Sequence, residues 1–396
     1  MRVVLVGGGG RESALARAIA RYGHALYFTH ENPTFGVLGE VVVGEPLAVA
    51  RRVGAELVVV GPEAPLADGL IDRLTLAGIP GFGPSAAAAR LESSKIFTKA
   101  LATKYGLPTA AARVVRRGDG FVPEQAWVVK LDGLAAGKGV WVCDSAADTA
   151  AALAEAFVLR PDGSVLLEER LLGPELSVLG IADGERVVPL PAARDHKRRF
   201  DGDQGPNTGG MGAIAPVGVA PGILASCHDV LHRAVAGMAS DGVPFRGVLY
   251  GGFMLTPDGP KLLEFNARFG DPECQPLMAL LDEDPVPWFL GAALGRLPGD
   301  TIRFRPEHAC CVVVSGAAYP ERSAHAPITR LPESGRSVVV DHAGTALRDG
   351  TLWAVGGRVL GITGLGDTAE LARERAYAAV AEVRFEGAAW RTDIGC

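Results

Sequence analysis

The start of the chain constrains its fold more than any other stretch. Residues 2–6 carry the unbroken apolar run Val3-Val4-Leu5-Val6, Gly7 to Gly10 follow, and residues 11–20 then read as a helix. A strand with no polar face needs cover on both sides, so strand, glycine turn and helix predict the first unit of a doubly wound parallel sheet. Glu56-Leu-Val-Val-Val60, running into Gly61-Pro-Glu-Ala-Pro65, and the short strand 79–82 extend it. Free N–H groups at the helix start suit an anion, so the Gly9, Gly10, Arg11, Glu12 turn is a candidate phosphate site. Glu63, in a loop at a strand's carboxyl end, is a candidate for a sugar hydroxyl or an amine. A nicotinamide dinucleotide is the competing occupant, with Glu31 as the ribose acid, but that fingerprint wants glycine where Glu12 stands.

Length bounds the rest. With 396 residues the chain is expected to hold two or three domains. The first boundary falls near residue 98, within alanine-rich helical segments over 85–105 that carry Lys95 and Lys99 one turn apart. A net charge of −6 argues against a nucleic-acid or basic membrane surface. No apolar run is long enough to span a bilayer, and the first residues lack the form of a secretion signal, so a cytoplasmic protein is expected. The six cysteines form no Cys-x-x-Cys pair and read as incidental thiols of a reducing compartment.

Lysine is the informative count, because only seven of the 39 basic residues are lysine. A sequence so biased toward arginine keeps lysine where a compact charge on a flexible stem serves better, as at a phosphate chain. Lys130 and Lys138 bracket a glycine loop, Leu131-Asp-Gly-Leu-Ala-Ala-Gly-Lys-Gly139, between strands at 126–130 and 140–143. One residue is missing for a P-loop and a strand follows where a helix should, so this is a hairpin loop able to close over phosphates. Residues 194–213 place four basic side chains ahead of five glycines and read as a lid without regular structure, Lys197 aimed at the transferring phosphate.

In Lys261-Leu-Leu-Glu-Phe-Asn-Ala-Arg-Phe-Gly-Asp-Pro-Glu273 alternation predicts a strand, paired with 247–255 across the turn 256–259. Leu263, Phe265 and Ala267 would face the core and Glu264, Asn266 and Arg268 the other side. Glu264 and Asn266 suit magnesium, which takes few protein oxygens and completes its shell with water and phosphates. Arg268 suits a carboxylate or phosphate. By itself Glu-x-Asn is more simply the wet face of a surface strand. From residue 301 onward, strands at 309–315, 337–341 and 359–363 and a helix capped by Asp367 predict a small α+β domain that walls the cleft without catalytic groups.

Seven motifs in order settle between these alternatives: Gly-Gly-Arg-Glu (9–12), Gly-Pro-Glu-Ala-Pro-Leu (61–66), Lys-x-Asp-Gly-Leu-Ala-Ala-Gly-Lys-Gly-Val (130–140), Asp-His-Lys-Arg (195–198), Gly-Pro-Asn-Thr-Gly-Gly-Met-Gly-Ala (205–213), Glu-Phe-Asn-x-Arg-Phe-Gly-Asp-Pro-Glu (264–273) and Asp-Ile-Gly (393–395). Together the chain resembles the glycinamide ribonucleotide synthetase family of the ATP-grasp superfamily, over its whole length. The resemblance implies an α/β architecture: an N-terminal doubly wound parallel sheet (1–98), a central ATP-grasp fold (99–300, its lid about 110–185) and a small C-terminal α+β domain (301–396). It implies ATP-dependent ligation of glycine to 5-phosphoribosylamine through glycyl phosphate, with magnesium, or manganese in its place. Both partners are small molecules, without nucleic acid or membrane, and the chain is expected to act as a monomer.

By the same resemblance Lys95, Lys130, Lys138 and Lys197 contact phosphates, Glu168 and Leu171 the adenine, Glu175 the ribose, and Glu264 with Asn266 the metal. Arg268 orients the glycine carboxylate and Asp271 an amine. Gly9, Gly10, Arg11, Glu12, Glu63, Asn207, Thr208, Gly209 and Gly210 hold phosphoribosylamine. Ser13, Cys274 and His30-Glu-Asn-Pro depart from the family pattern and bear on the sugar-phosphate pocket. The rivals are another carboxylate–amine ligase of the superfamily, a dehydrogenase on the first glycine turn, and a nucleotide sensor without turnover.

Overall fold

The computed structural model describes residues 1–134, 139–161 and 163–396, so Lys138 lies outside the described residues. Five parallel strands open the chain, in the spatial order Glu40–Val41, Ala25–Phe28, Arg2–Val6, Leu57–Val60, Gly81–Phe82. The order reverses at Arg2–Val6, which puts the crevice of this doubly wound sheet beyond the ends of the first and fourth strands in sequence, where the Gly7–Gly10 turn and Glu63 lie. Alternate residues of the first strand feed two cores. Val3 and Leu5 pack with helix Gly10–Ala20 and with helices Cys274–Leu280 and Val286–Leu294 from far along the chain, while Val4 and Val6 pack with helices Pro46–Val53 and Leu70–Leu76.

The centre holds two four-stranded sheets. One is antiparallel in the order Ala112–Arg116, Ser164–Glu168, Val128–Leu131, Val140–Val142, backed by helix Ala146–Leu159. The other runs Val187–Pro189, Glu175–Asp183, Arg246–Thr256, Gly259–Asn266, backed by helix Pro221–Ser240. Lys130 of the first reaches the second, its Nζ donating to the Leu263 carbonyl at 3.0 Å, so the two sheets face each other across a narrow cleft.

The strand at 259–266 corrects one expectation. Gly252 is paired with Glu264 but Phe253 with Leu262, which leaves Leu263 as the extra residue of a bulge. A bulge shifts the side-chain phase by one. Leu262, Phe265 and Ala267 are therefore the buried set, and Leu263 lines the cleft. Glu264 and Asn266 keep the shared face predicted for them.

Residues 194–213 are more ordered than a lid. Arg198–Phe200 and Gln204–Asn207 form a hairpin, while Arg194–Asp195 and Gly212–Ala215 pair with each other. Through Gly212–Ala215 this segment joins the C-terminal sheet built on His308–Gly316, Arg358–Gly366 and Val338–His342. A Cβ on Gly212 would stand 2.6 Å from the Cys311 carbonyl oxygen, so the glycine permits that close pairing. The final long helix, Ala369–Val380, is capped by Thr368, whose Oγ1 accepts from the Leu371 N–H at 3.2 Å; the expected Asp367 cap is one residue early.

The first and last sheets are stitched by a buried carboxylate. Ser13 Oγ (2.9 Å) and Arg17 Nε (3.2 Å) both donate to Asp341 Oδ1. Burial pushes the Asp341 carboxyl up to about 6, against the pull of Arg17. A raised folded-state value means the native protein holds the proton longer, so this group's contribution is full below about pH 4 and is lost as pH rises through 6. The half-buried imidazoles of His196 and His342, lowered to about 4 chiefly by desolvation, act oppositely and destabilise as pH falls below 6.5. We therefore expect Asp341→Asn to gain on the parent chain by about 3 kcal/mol between pH 4 and pH 7. Urea unfolding of both proteins across that range measures the difference, and a constant offset would refute it.

Candidate functional site

The cleft is lined by cations, most of them held by carboxylates. Glu168, 3% exposed at the end of its strand, is gripped by Lys99 (2.6 Å) and Lys130 (2.5 Å). Lys99 also donates to Thr109 Oγ1 and the Ala110 carbonyl, and Lys95 to the Gly133 carbonyl at 3.1 Å. Burial lowers the pKa of Lys95 and Lys99, partly offset by Glu264 for the first and Glu168 for the second. These lysines, with Leu166, Leu262, Leu263 and Phe265, wall one continuous pocket between the sheets. Leu171 does not line it, being half-buried in the connection 169–174.

Lys197 sits at the pocket's other end, its Nζ 2.9 Å from Glu175 and 3.7 Å from Glu264. Burial disfavours the ammonium, but these two carboxylates hold it charged well beyond the usual lysine range. Glu264 is the reciprocal case. Burial works against its ionisation, yet Lys197, then Lys130, Lys95 and Arg268, hold its carboxyl below the usual range.

An ionised carboxylate at 264 and the Asn266 amide oxygen, two positions on along the same face, are hard donors. Among the described residues no group of three or more His, Cys, Asp and Glu side chains could cage a metal. A pair of oxygens beside an anion pocket fits magnesium, and fits zinc poorly.

Arg268 continues this face. Its Nη2 donates to Glu92 Oε1 (2.7 Å) and to Asn266 Oδ1 (3.3 Å), and its Nε is buried without a hydrogen-bond partner, 3.6 Å from Glu63 Oε2. Asp271 lies beyond. Burial raises its carboxyl, but Arg358 and then Arg11 outweigh that and keep it low. Arg358 Nη2 stands 3.1 Å from Asp271 Oδ2, and Arg358 Nη1 donates to both the Asp271 and the Gly209 carbonyls at 2.6 Å. The Gly209 N–H donates to the Tyr319 hydroxyl at 3.0 Å, so side chains of the C-terminal domain grip this loop from both sides. Thr208 Oγ1 donates to the Lys197 carbonyl (2.9 Å) and accepts from the Gly210 N–H (3.0 Å), while Asn207 is held in the hairpin opposite Arg198. Gly210, at φ 109, leaves no room for a Cβ, which would stand 2.4 Å from Pro272.

At the first turn, Glu12 faces inward. Its carboxylate accepts from the Gly9 N–H and from Arg11 Nε, both at 2.7 Å, and Arg11 Nη1 donates to the Phe269 carbonyl. A Cβ at Gly61 would fall 2.0 Å from Glu12 Oε1, so glycine there makes room for this carboxylate. The Gly9 donor that a dinucleotide phosphate would use is engaged, whereas Gly10 opens the helix beside Asp271.

Comparisons with known proteins decide the family. Profiles for phosphoribosylglycinamide synthetase match in three consecutive pieces: the N domain over residues 1–92, the ATP-grasp (A) domain over 93–274 and the C domain over 309–396. The chain belongs to this family. Phosphoribosylamine–glycine ligases of Rhizobium meliloti and Caulobacter vibrioides are each 44% identical to it, covering 100% of this chain and 98% of their own. The crystal structure of the Thermotoga maritima phosphoribosylamine–glycine ligase superposes with a TM-score of 0.89 at 34% identity, covering 100% of both chains. The biotin carboxylase domain of the Hydrogenobacter thermophilus 2-oxoglutarate carboxylase (TM-score 0.74, 18% identity, 98% of this chain and 91% of that one) shares the fold alone.

The geometry thus brings Lys95, Lys130, Glu168, Glu175, Lys197, Glu264, Asn266 and Arg268 along one cleft, with Asp271, Gly209, Gly210, Arg11 and Glu63 at its end. Four neighbours were given no role from sequence. Lys99 had a signal in the lysine count. Glu92, Tyr319 and Arg358 had none, since Arg is the ordinary cation of this chain and single glutamates and tyrosines carry no pattern.

Proposed function

We propose that the chain joins glycine to 5-phosphoribosylamine at the expense of ATP, giving glycinamide ribonucleotide, ADP and phosphate in purine synthesis. The observation that carries this reading is the full-length match to phosphoribosylamine–glycine ligases, with Lys197, Glu264 and Arg268 converging on one cleft. A glycine carboxylate oxygen attacks the γ-phosphorus and ADP leaves. The phosphoribosylamine nitrogen then attacks the acyl carbon, losing a proton as phosphate departs.

Lys95 and Lys130, freed from Gly133 and Glu168, neutralise the triphosphate, and Lys197 stabilises charge on the transferring group. Glu168 borders the adenine and Glu175 the ribose. Glu264 and Asn266 would hold magnesium, which when bound supplies charge neutralisation on the phosphates; manganese offers the same coordination. Arg268 orients the glycine carboxylate for in-line attack. Asp271 accepts from an amine. Gly9, Gly10, Arg11, Glu12, Glu63 and the loop Asn207-Thr208-Gly209-Gly210 hold phosphoribosylamine and keep water from the acyl phosphate. Residues 1–98, 99–300 and 301–396 serve as substrate, nucleotide and supporting domains of a cytoplasmic monomer without nucleic-acid partners. Among the described residues no helix is long and apolar enough to cross a membrane.

Phosphate release from ATP tests the activity: it should need glycine and phosphoribosylamine together, stop when glycine is omitted, and resume on its return. Formate with glycinamide ribonucleotide should release none. Binding of ATP with no turnover on the full mixture would leave a sensor. At the loop, Arg358→Ala should raise KM for phosphoribosylamine about tenfold while leaving KM for ATP within twofold, a net loss of about 1.4 kcal/mol for two carbonyl bonds and the Asp271 ion pair. Equal changes in both constants would contradict that placement.

A further inference from the structure

Arg268 is the one group asked to hold glycine, yet it enters the cleft from a strand exit with a long, rotatable side chain. What fixes it is a carboxylate on another element. Glu92, in the last turn of helix Ala86–Ser93, has a side chain only 8% exposed. Its Oε1 accepts from Arg268 Nη2 at 2.7 Å, and its Oε2 from the backbone N–H of Ala267 at 2.8 Å. Both the guanidinium and the main chain one residue before it are thus tied to the same side chain.

Phe269 O (3.3 Å from Nη1) and Asn266 Oδ1 complete the hold, and Nε is left buried and unpartnered. A buried donor without a partner carries a desolvation penalty, and a carboxylate ligand arriving there would relieve it. Glu63 stands off at 3.6 Å on the same side, close enough to attract the guanidinium but beyond hydrogen-bond reach.

We propose that Glu92 is the positioning residue of the glycine subsite: it clamps Arg268 and the Ala267 amide so that the Nε edge faces the incoming carboxylate. The proposal rests on the ligase reading and adds a residue to it. Glu92 itself touches no substrate. It acts by holding Arg268 in one rotamer, sparing the ordering cost of a free arginine when glycine binds.

Steady-state kinetics on Glu92→Ala, Glu92→Asp and Arg268→Ala, and on the double variant Glu92→Ala with Arg268→Ala, test it. Glu92→Ala should raise KM for glycine 10- to 100-fold with KM for ATP within twofold, and the double variant should be no worse than Arg268→Ala alone. Glu92→Asp, keeping the charge on a shorter stem, should recover part of the glycine affinity. A uniform loss across all three substrates, or losses that multiply in the double variant, would overturn the proposal and leave Glu92 a packing residue. The parent enzyme separates the two readings. If it releases no phosphate with glycine and phosphoribosylamine, the ligase reading falls; if it does and the variants fail the pattern, only the Glu92 role falls. Should Glu92→Ala not fold, the Asp variant and the glycine dependence of its KM decide alone.

Discussion

Glu264→Ala is expected to cut turnover by on the order of 10³ at saturating substrates, about 4 kcal/mol of lost transition-state stabilisation. The residue is ionised because four cations surround it, so its removal does two things at once. It takes away the anionic member of the proposed metal-binding pair, and it leaves Lys197 with Glu175 as its remaining salt-bridge partner. Glu264→Gln separates these losses. The amide keeps an oxygen at the site but not the charge, so its turnover should fall between parent and Ala variant and should improve as magnesium is raised. Turnover by the Ala variant within tenfold of the parent would remove the metal-site assignment.

The second large effect is expected at Lys197. Lys197→Met should lower turnover by roughly 10²–10³ while ATP affinity, followed by direct titration, moves less than tenfold, because the role argued for this ammonium is at the transferring phosphate. Lys197→Arg should not restore the parent rate. The ammonium is wedged between two carboxylates at 2.9 and 3.7 Å, and a planar fork does not occupy that space as a point charge does. An Arg variant as fast as the parent would show that charge alone suffices. Equal losses in affinity and turnover would place the lysine at the ground-state phosphates instead.

These residues were legible in sequence for a simple reason. Glu264 and Asn266 sit on one strand, where spacing of two fixes a shared face that Arg268 continues just past its end, and the scarce lysines stood out by count. The doubly wound first sheet was equally plain, since Val3 to Val6 has no polar side and must be covered twice. What stayed hidden depends on contacts between distant segments. The bulge at Leu263 is set by how Gly259–Asn266 registers against its neighbour, and nothing in the alternation marks the slip. The segment 194–213 lacks a hydrophobic period because its strands are two to four residues long and draw their order from the C-terminal sheet. Arg358 was one arginine among many, and only the folded chain brings it to Gly209 and Asp271.

The Arg358 clasp also sets a timetable for synthesis. It joins positions 149 residues apart, so Gly209 has left the ribosome long before its anchor is made. At translation rates of about 5–20 residues per second the loop waits roughly 7 to 30 seconds unsupported. A nascent polypeptide halted ahead of Arg358 would carry every lysine of the cleft yet leave the Gly209 loop without its clasp, and activity should arrive late, with the last sheet to form.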